Sequence, residues 1–323
     1  MTAGAARRLL YWVVSLSISA VLLYFALRGV DWHRVWQIIT HANLLLVFAG
    51  LALISWSSFV RSLRWRILLN AEGRFSIPTV FWATMAGYLG NSVLPARAGE
   101  VLRTVLISNQ STLSKAYVLT TALGERMMDV IALVLAGAIA LMGVHPQPAW
   151  MHDVSRGMAA IAIAGALFVV IVPHTGRLLE SILKRLPMPG AVRPVLLRLT
   201  EQILLGVRAF HDWRRLGSFS ALTVVIWLSD GVATVVGGQA LGVHISFPVA
   251  MLLLTGLGLG SALPSTPGYV GVYQFVAITT LTPFGISRDA ALAYILTAQA
   301  MNYVLVMMWG LPGLYLLRRR RPA

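Results

Sequence analysis

The chain has 323 residues, 58% of them hydrophobic and 11% charged, with 26 Lys and Arg against 11 Asp and Glu. A soluble domain carries roughly 25% charged residues, so this composition excludes an ordinary soluble fold and predicts an all-α, polytopic integral membrane protein. The net charge of +15 sits in short segments flanking apolar runs, a pattern of loops facing anionic lipid and not of a nucleic-acid surface, and the lack of cysteine excludes disulfides, thiolate metal sites and cysteine nucleophiles.

In chain order, six segments have the length and hydropathy of full spans: 9–28, 43–62, 117–143, 154–172, 219–241 and 290–316. The first follows Arg7 and Arg8 without a small-residue cleavage site and reads as a retained span. "DWHRVWQIITH", 31–41, is a candidate interfacial helix on the outer side. Arg64, Arg66 and Arg74 follow the second span and read as its cytoplasmic flank, whereas the 144–153 loop has no Lys or Arg. The 174–217 connection is rich in Lys and Arg, and Val195, Leu199, Ile203, Val207 and Phe210 recur in it at helical spacing. It is expected to be an amphipathic cytoplasmic element. With Arg318 to Arg321 at the end of the last span, the positive-inside rule places both termini in the cytoplasm.

Two further apolar stretches, 77–116 and 247–285, are interrupted by "LPARAGE" and "LPSTPGY". Proline removes a backbone donor and disfavours helix at the preceding residue, so each stretch should be two helices around a break. Pro95 and Gly99 shape the first break; Pro264, Pro267 and Gly268 shape the second. Each half is about 17 residues, barely enough to span, and the charge distribution favours hairpins that re-enter on one side, the first from the cytoplasm and the second from outside. The alternative is eight or more complete crossings. Either way the whole chain, 1–323, forms one transmembrane domain.

An internal repeat is legible when Pro95 is set over Pro264. Gly87, Ser92, Leu94, Gly99 and Val101 then fall on Gly256, Ser261, Leu263, Gly268 and Val270, and Arg61 falls opposite Asp230. The halves, approximately 9–143 and 154–317, would each hold three spans and one hairpin. An odd number of crossings turns the second half upside down relative to the first, an inverted repeat whose broken helices meet near the midplane. Helix ends exposed there present unpaired N–H groups that favour anions.

The charges within or beside these segments need an explanation, because each costs about 2.5–3.5 kcal/mol at a helix centre. They are Arg97, Glu100, Arg103, Glu125, Arg126, Asp129 and Asp230. "GERMMDV" places Glu125 and Asp129 one turn apart, with Arg126 in reach of Asp129. Arginine forks two hydrogen bonds onto a phosphate and stays charged when desolvated, so Arg97 and Arg103 are expected to hold a lipid phosphate, with Glu100 orienting them or meeting a cationic headgroup. Asn91 beside the first break, and Tyr273 and Gln274 in "PSTPGYVGVYQ", complete the candidate substrate site as neutral groups; Gln299 and Asn302 either extend that path or bond between helices.

No GxxxxGK[ST] occurs and the histidines show no ligand spacing, so no cofactor, metal or ATP hydrolysis is expected. The alternatives to a transporter are a membrane transferase acting on polyprenyl-phosphate substrates, for which Asp31 and Asp153 are isolated outer carboxylates, and a non-transporting partner of a cell-envelope enzyme.

"NSVLPARAGEVLR", "GERMMDV" and "PSTPGYVGVYQ", in this order, resemble the flippase-like membrane domain of lysylphosphatidylglycerol synthase, over residues 9 to 317. The resemblance implies a domain that moves aminoacylated phospholipid from the inner to the outer leaflet of the cytoplasmic membrane, while a separate soluble domain performs aminoacyl transfer. It also places Arg97, Glu100, Arg103, Glu125, Arg126 and Asp129 on the shared motifs. The sequence ends at "RRRRPA", so the expectation is a stand-alone member handling another phosphate-bearing lipid, with a lipid-modifying enzyme as a possible partner.

Overall fold

The computed structural model describes residues 3–94, 98–143, 212–263 and 265–319, with single positions at 157, 160 and 163. Apart from those positions, the expected span 154–172 lies outside the described residues, as do 174–211 of the amphipathic connection and Pro95, Arg97, Asp153 and Pro264. The described regular structure is helical: α1 (Ala3–Leu27), α2 (Trp32–Thr40), α3 (Leu44–Leu69), α4 (Ile77–Val93), α5 (Gly99–Ser108), α6 (Lys115–Met142), α7 (Trp213–Ala240), α8 (Phe247–Gly260), α9 (Val272–Leu281) and α10 (Arg288–Arg319), with single 3₁₀ turns at Pro267–Tyr269 and Thr282–Phe284.

Helix starts follow local chemistry. Asp31, Asn43, Ser76 and Ser114 each accept a hydrogen bond from a backbone N–H of the first turn they precede. Pro78 and Pro248 sit where a missing donor costs nothing. Helices α3, α7 and α10 are long and apolar enough to cross a bilayer, and α1 joins α2 through an 86° bend. That bend lays α2 across the end of α1, burying Val35 and leaving Trp32 and Trp36 exposed, as an interfacial helix requires. The 28 residues of α6 include Lys115, Glu125, Arg126 and Asp129, which its apolar neighbours must shelter.

Helices α1 and α7 each begin six residues before the expected span, at Ala3 and Trp213, and two further differences from the sequence expectation bear on the site. The second span does not stop at residue 62: Trp65, Leu68 and Leu69, all at most 1% exposed, draw two more turns into the bundle, so Arg64 and Arg66 are helical and not a loop flank. The interrupted stretches are also uneven. Their arms are 17 and 10 residues in the first and 14 and 10 in the second. Helix α5 ends at Asn109 in the polar run "SNQSTLS", and α9 ends before Pro283 and Gly285 (φ 80°). A ten-residue arm rises only about 15 Å, half a hydrocarbon core.

Helices α3 and α7 run antiparallel. The Asn43 N–H donates to the Ala240 carbonyl (2.7 Å) at one end, and Leu68 packs with Phe219 at the other. Helix α4 lies on α10, where Gly310 and Gly313 meet the backbone at Met85 and Trp82, and α6 lies on α8, where the Thr255 hydroxyl donates to the Leu133 carbonyl (3.0 Å). Small residues let these backbones approach without an aqueous driving force between helices. The offset of 169 residues that sets Arg61 against Asp230 also carries α3, α4, α5 and α6 onto α7, α8, α9 and α10, to within four residues at each start. Under that exchange the α4–α10 and α8–α6 contacts swap places, and α3–α7 maps onto itself.

Candidate functional site

A cavity of about 420 Å³ lies between the two hairpins. Tyr88 and Asn91 of α4 and Glu100 of α5 border it from the first hairpin, Ser261 and Tyr273 from the second, and α3, α6, α7 and α10 close the sides. Its floor holds Arg61, Glu100, Arg126, Asp129 and Asp230. Val47, Ala240 and Leu241 border its other end, where α3 begins and α7 finishes. From Arg61 to Val47 is about 21 Å along the axis of α3.

The close approach of α4 and α5 sets the first hairpin. A Cβ on Gly99 would lie 1.9 Å from the Gly87 carbonyl oxygen, so only glycine fits there. In the second hairpin Gly268 has φ +74°, and a Cβ would strike the Tyr303 hydroxyl. The Thr266 N–H donates to Ser19 of α1 (3.1 Å), which holds the tip from outside the cavity.

Behind and across the floor runs an ion network. Arg64 spans Asp129 through both terminal nitrogens (2.7 and 3.0 Å), reaches Glu125 (2.9 Å) and donates to the Thr223 hydroxyl (3.0 Å). Arg103 pairs with Glu125 (3.0 Å) and Glu100 (2.6 Å), and Arg126 pairs with Glu100 (2.8 Å). Arg61 pairs with Asp230 across the α3–α7 seam. Trp227, Phe219, Trp65 and Tyr88 cover the guanidinium faces of Arg61, Arg64, Arg103 and Arg126 at 4.9, 4.8, 4.3 and 5.5 Å. Among the described residues, four cations thus meet four carboxylates, Glu100, Glu125, Asp129 and Asp230. That balance is what allows such a cluster inside the helix bundle, because each buried charge alone would cost several kcal/mol.

The expected site residues divide by exposure. Asn91, Glu100, Arg126, Asp129 and Tyr273 border the cavity, as do Gln299 and Asn302. The Arg126 side chain is 30% exposed. Arg103 and Glu125 lie behind the wall, their side chains 1% and 2% exposed. Arg126 does approach Asp129 (3.7 Å), as its spacing suggests, but Glu100 of the neighbouring hairpin is nearer. Gln274 is 3% exposed and ties the second break together: it accepts from the Gly271 N–H (2.7 Å) and donates to Gln299, which donates to the Gly268 carbonyl (2.9 Å). Of the outer carboxylates, Asp31 is engaged as the α2 cap, accepting from the N–H groups of His33 and Arg34, and its own N–H donates to Asp289.

Sequence reasoning missed Arg64 and Trp227 as parts of this site, and left Arg61 and Asp230 out of the candidate substrate residues. Arg64 looked like a flanking charge because it follows an apolar run; the signal against that reading was the apolar set Trp65, Ile67, Leu68 and Leu69 continuing to Asn70. Arg61 was already paired with Asp230 by the repeat.

The helices and this sheltered ion cluster define a multi-pass membrane protein. The chain belongs to the family described as the lysylphosphatidylglycerol synthase TM region, whose profile matches residues 12–310. It is similar to a UPF0104 membrane protein of Methanothermobacter thermautotrophicus, 21% identical over 93% of this chain and 91% of that one. It is also similar to glycosyltransferase AglD of Haloferax volcanii, 24% identical over 92% of this chain, which spans about half (53%) of that protein's length.

Proposed function

We propose that this protein moves a phosphate-bearing lipid between the leaflets of the cytoplasmic membrane, with the headgroup passing through the cavity between the hairpins. The observation that carries the reading is the cavity's polarity: a floor of five ionisable side chains faces an end bordered by Val47, Ala240 and Leu241. A lipid has that division, with a charged head and apolar tails. Arg61 and Arg126 supply the phosphate contact. Each has a terminal nitrogen beyond hydrogen-bond distance of Asp129 Oδ2, at 3.8 and 3.7 Å, and so keeps donor capacity for a phosphate beside that carboxylate, which Arg64 holds in place (3.0 Å). Arg103 and Glu125 hold the wall in shape behind them, and the contact expected of Arg97 remains an expectation from the sequence.

The short arms of α5 and α9 support re-entrant hairpins over complete crossings, and the antiparallel α3–α7 pair with its interchanging neighbours supports an inverted repeat. In such a repeat, two halves rocking about α3 and α7 would expose one cavity to each side in turn. The distribution of Lys and Arg supports cytoplasmic termini. A transferase reading has the name of one relative in its favour, but Asp31 is used as a cap, and the carboxylates in the cavity are all committed to arginines.

Native mass spectrometry of protein extracted in mild detergent tests the reading. Wild-type protein should retain a phospholipid or another phosphate-linked lipid, and Arg61→Gln/Arg126→Gln protein should lose it. Retention of the same lipid by the double variant would remove the phosphate assignment.

A further inference from the structure

The tip of the second hairpin holds backbone strain. Gly268, Tyr269 and Gly271 all have positive φ (74°, 61° and 86°), and Tyr269 is the one non-glycine residue with that sign among the described residues. An L side chain in this region crowds the following carbonyl, and such a conformation persists only where the surroundings over-determine it. Here they do so from three helices. The Ser19 hydroxyl of α1 accepts from the Thr266 N–H (3.1 Å) and donates to the Thr266 Oγ1 (3.3 Å). Gln274 of α9 accepts from the Gly271 N–H (2.7 Å), and Gln299 of α10 donates to the Gly268 carbonyl (2.9 Å).

Helix α1 is lightly held. From Val13 onward it buries Ser15, Ser19 and Ala26 along one stripe, whereas Val13, Leu16, Val21, Tyr24 and Phe25 are exposed. Its main partner among the described helices is α9, and it meets the tip so closely that a Cβ on Gly271 would lie 2.3 Å from the Ser19 carbonyl oxygen. Its far end is fixed separately, by Arg288 of α10 donating to the Phe25 and Ala26 carbonyls (2.7 and 3.2 Å). The tip in turn bears on the cavity. The Pro267–Tyr269 turn packs against α4 of the first hairpin, and the Tyr269 ring, which borders the cavity, stacks on Tyr273 (centroids 4.8 Å apart, planes at 13°). The two hairpins are held unequally. Ion pairs from Glu100 and Arg103 fix α5 to α6, whereas the bonds from Ser19, Gln274 and Gln299 join neutral groups. Charge-assisted bonds are roughly twice as strong, so the second tip is the one that yields first.

From this we infer that the tip of the second hairpin is a gate of the cavity, closed in this structure, with Ser19 of α1 as its latch. When Ser19 lets go, Tyr269 relaxes to negative φ, its ring leaves Tyr273, and the turn parts from α4. That the gate passes lipid rests on the reading above; the latch itself does not.

Two measurements test this. Ser19→Cys/Thr266→Cys replaces hydroxyl oxygens 3.3 Å apart in a chain without other thiols, a separation that a disulfide closes with little backbone movement. In liposomes the oxidised protein should exchange tail-labelled phosphatidylglycerol at least about tenfold more slowly than the same protein after reduction, and wild-type protein should be indifferent to reductant. Equal exchange before and after reduction would overturn the gate. The second measurement, amide hydrogen exchange of the purified protein in detergent, needs no lipid movement. Ser19→Ala should speed exchange across 266–271 at least about fivefold while leaving α3 and α7 unchanged. Tyr269→Asn and Tyr269→Val both remove the ring, but asparagine tolerates positive φ and a β-branched residue does not. Exchange at the tip should therefore be at least about fivefold faster in the Tyr269→Val protein than in the Tyr269→Asn protein. Unchanged exchange in Ser19→Ala, or equal exchange in the two Tyr269 variants, would overturn the latch. If wild-type protein moves no lipid, the lipid reading falls, and amide exchange alone decides the latch.

Discussion

Arg64 and Arg126 belong to one ion network yet should answer mutation differently. The Arg64 side chain is 0% exposed and its fork holds Asp129 and Glu125 together. Arg64→Met leaves two buried carboxylates short of a counter-charge, so it should cost about 3–5 kcal/mol of stability, read as a large drop in melting temperature in detergent. Arg64→Lys should be nearly as harmful, since one ammonium lacks the planar fork that spans both acids. Arg126 is 30% exposed with one close partner. Arg126→Gln should therefore leave the melting temperature within a few degrees while lowering leaflet exchange about tenfold or more. The charges of "GERMMDV" and "ARAGEVLR" were legible in the sequence because ions are conspicuous in an apolar run. Their counterpart on α3 was not, because a charge ending a span looks the same whether it meets water or a carboxylate three helices away.

At the scale of the elements, the two breaks depend on different properties of glycine. Gly99 is a matter of space, with the Gly87 carbonyl where a side chain would go. Gly99→Ala should push α5 off α4 and, through Glu100 and Arg103, loosen the whole network; the expected readout is loss of monodisperse protein on gel filtration. Gly268 is a matter of backbone hand as well as space. The left-handed conformation costs an alanine about 1–2 kcal/mol, and the Tyr303 hydroxyl adds a clash. Gly268→Ala should destabilise, and Tyr303→Phe in the same chain should recover part of the lost melting temperature, by removing the atom the new methyl meets. The existence of both hairpins was readable from Pro and Gly in otherwise apolar stretches. Their uneven arms were not, because hydropathy does not weigh the capping tendency of Asn109 or the turn at Pro283 and Gly285 against the apolar residues around them.

For the whole molecule, the antiparallel α3–α7 pair is the frame on which topology and mechanism both depend. Asn43 meets Ala240 at one end of it, so α2 and the start of α7 lie on opposite sides of the bundle. The chain has no cysteine of its own, which makes single introduced thiols unambiguous. Gln37→Cys on α2 should react with a membrane-impermeant maleimide in intact cells, and Arg214→Cys on α7 only after the membrane is opened; the reverse pattern would invert the assignment. An inverted repeat, as proposed, would account for two breaks far apart in sequence sharing one cavity, and the charges that border that cavity come from α3, α5, α6 and α7. What carries the functional account is movement of a phosphate headgroup past Arg61 and Arg126. The direct measurement is leaflet exchange of tail-labelled phosphatidylglycerol in liposomes holding purified protein, followed by dithionite quenching. Wild-type protein should render nearly all of the label accessible within minutes, and Arg61→Gln/Arg126→Gln protein, folded and inserted to the same extent, should leave close to half protected, as protein-free liposomes do. Equal exchange by the two proteins, or protection in both, would contradict the account.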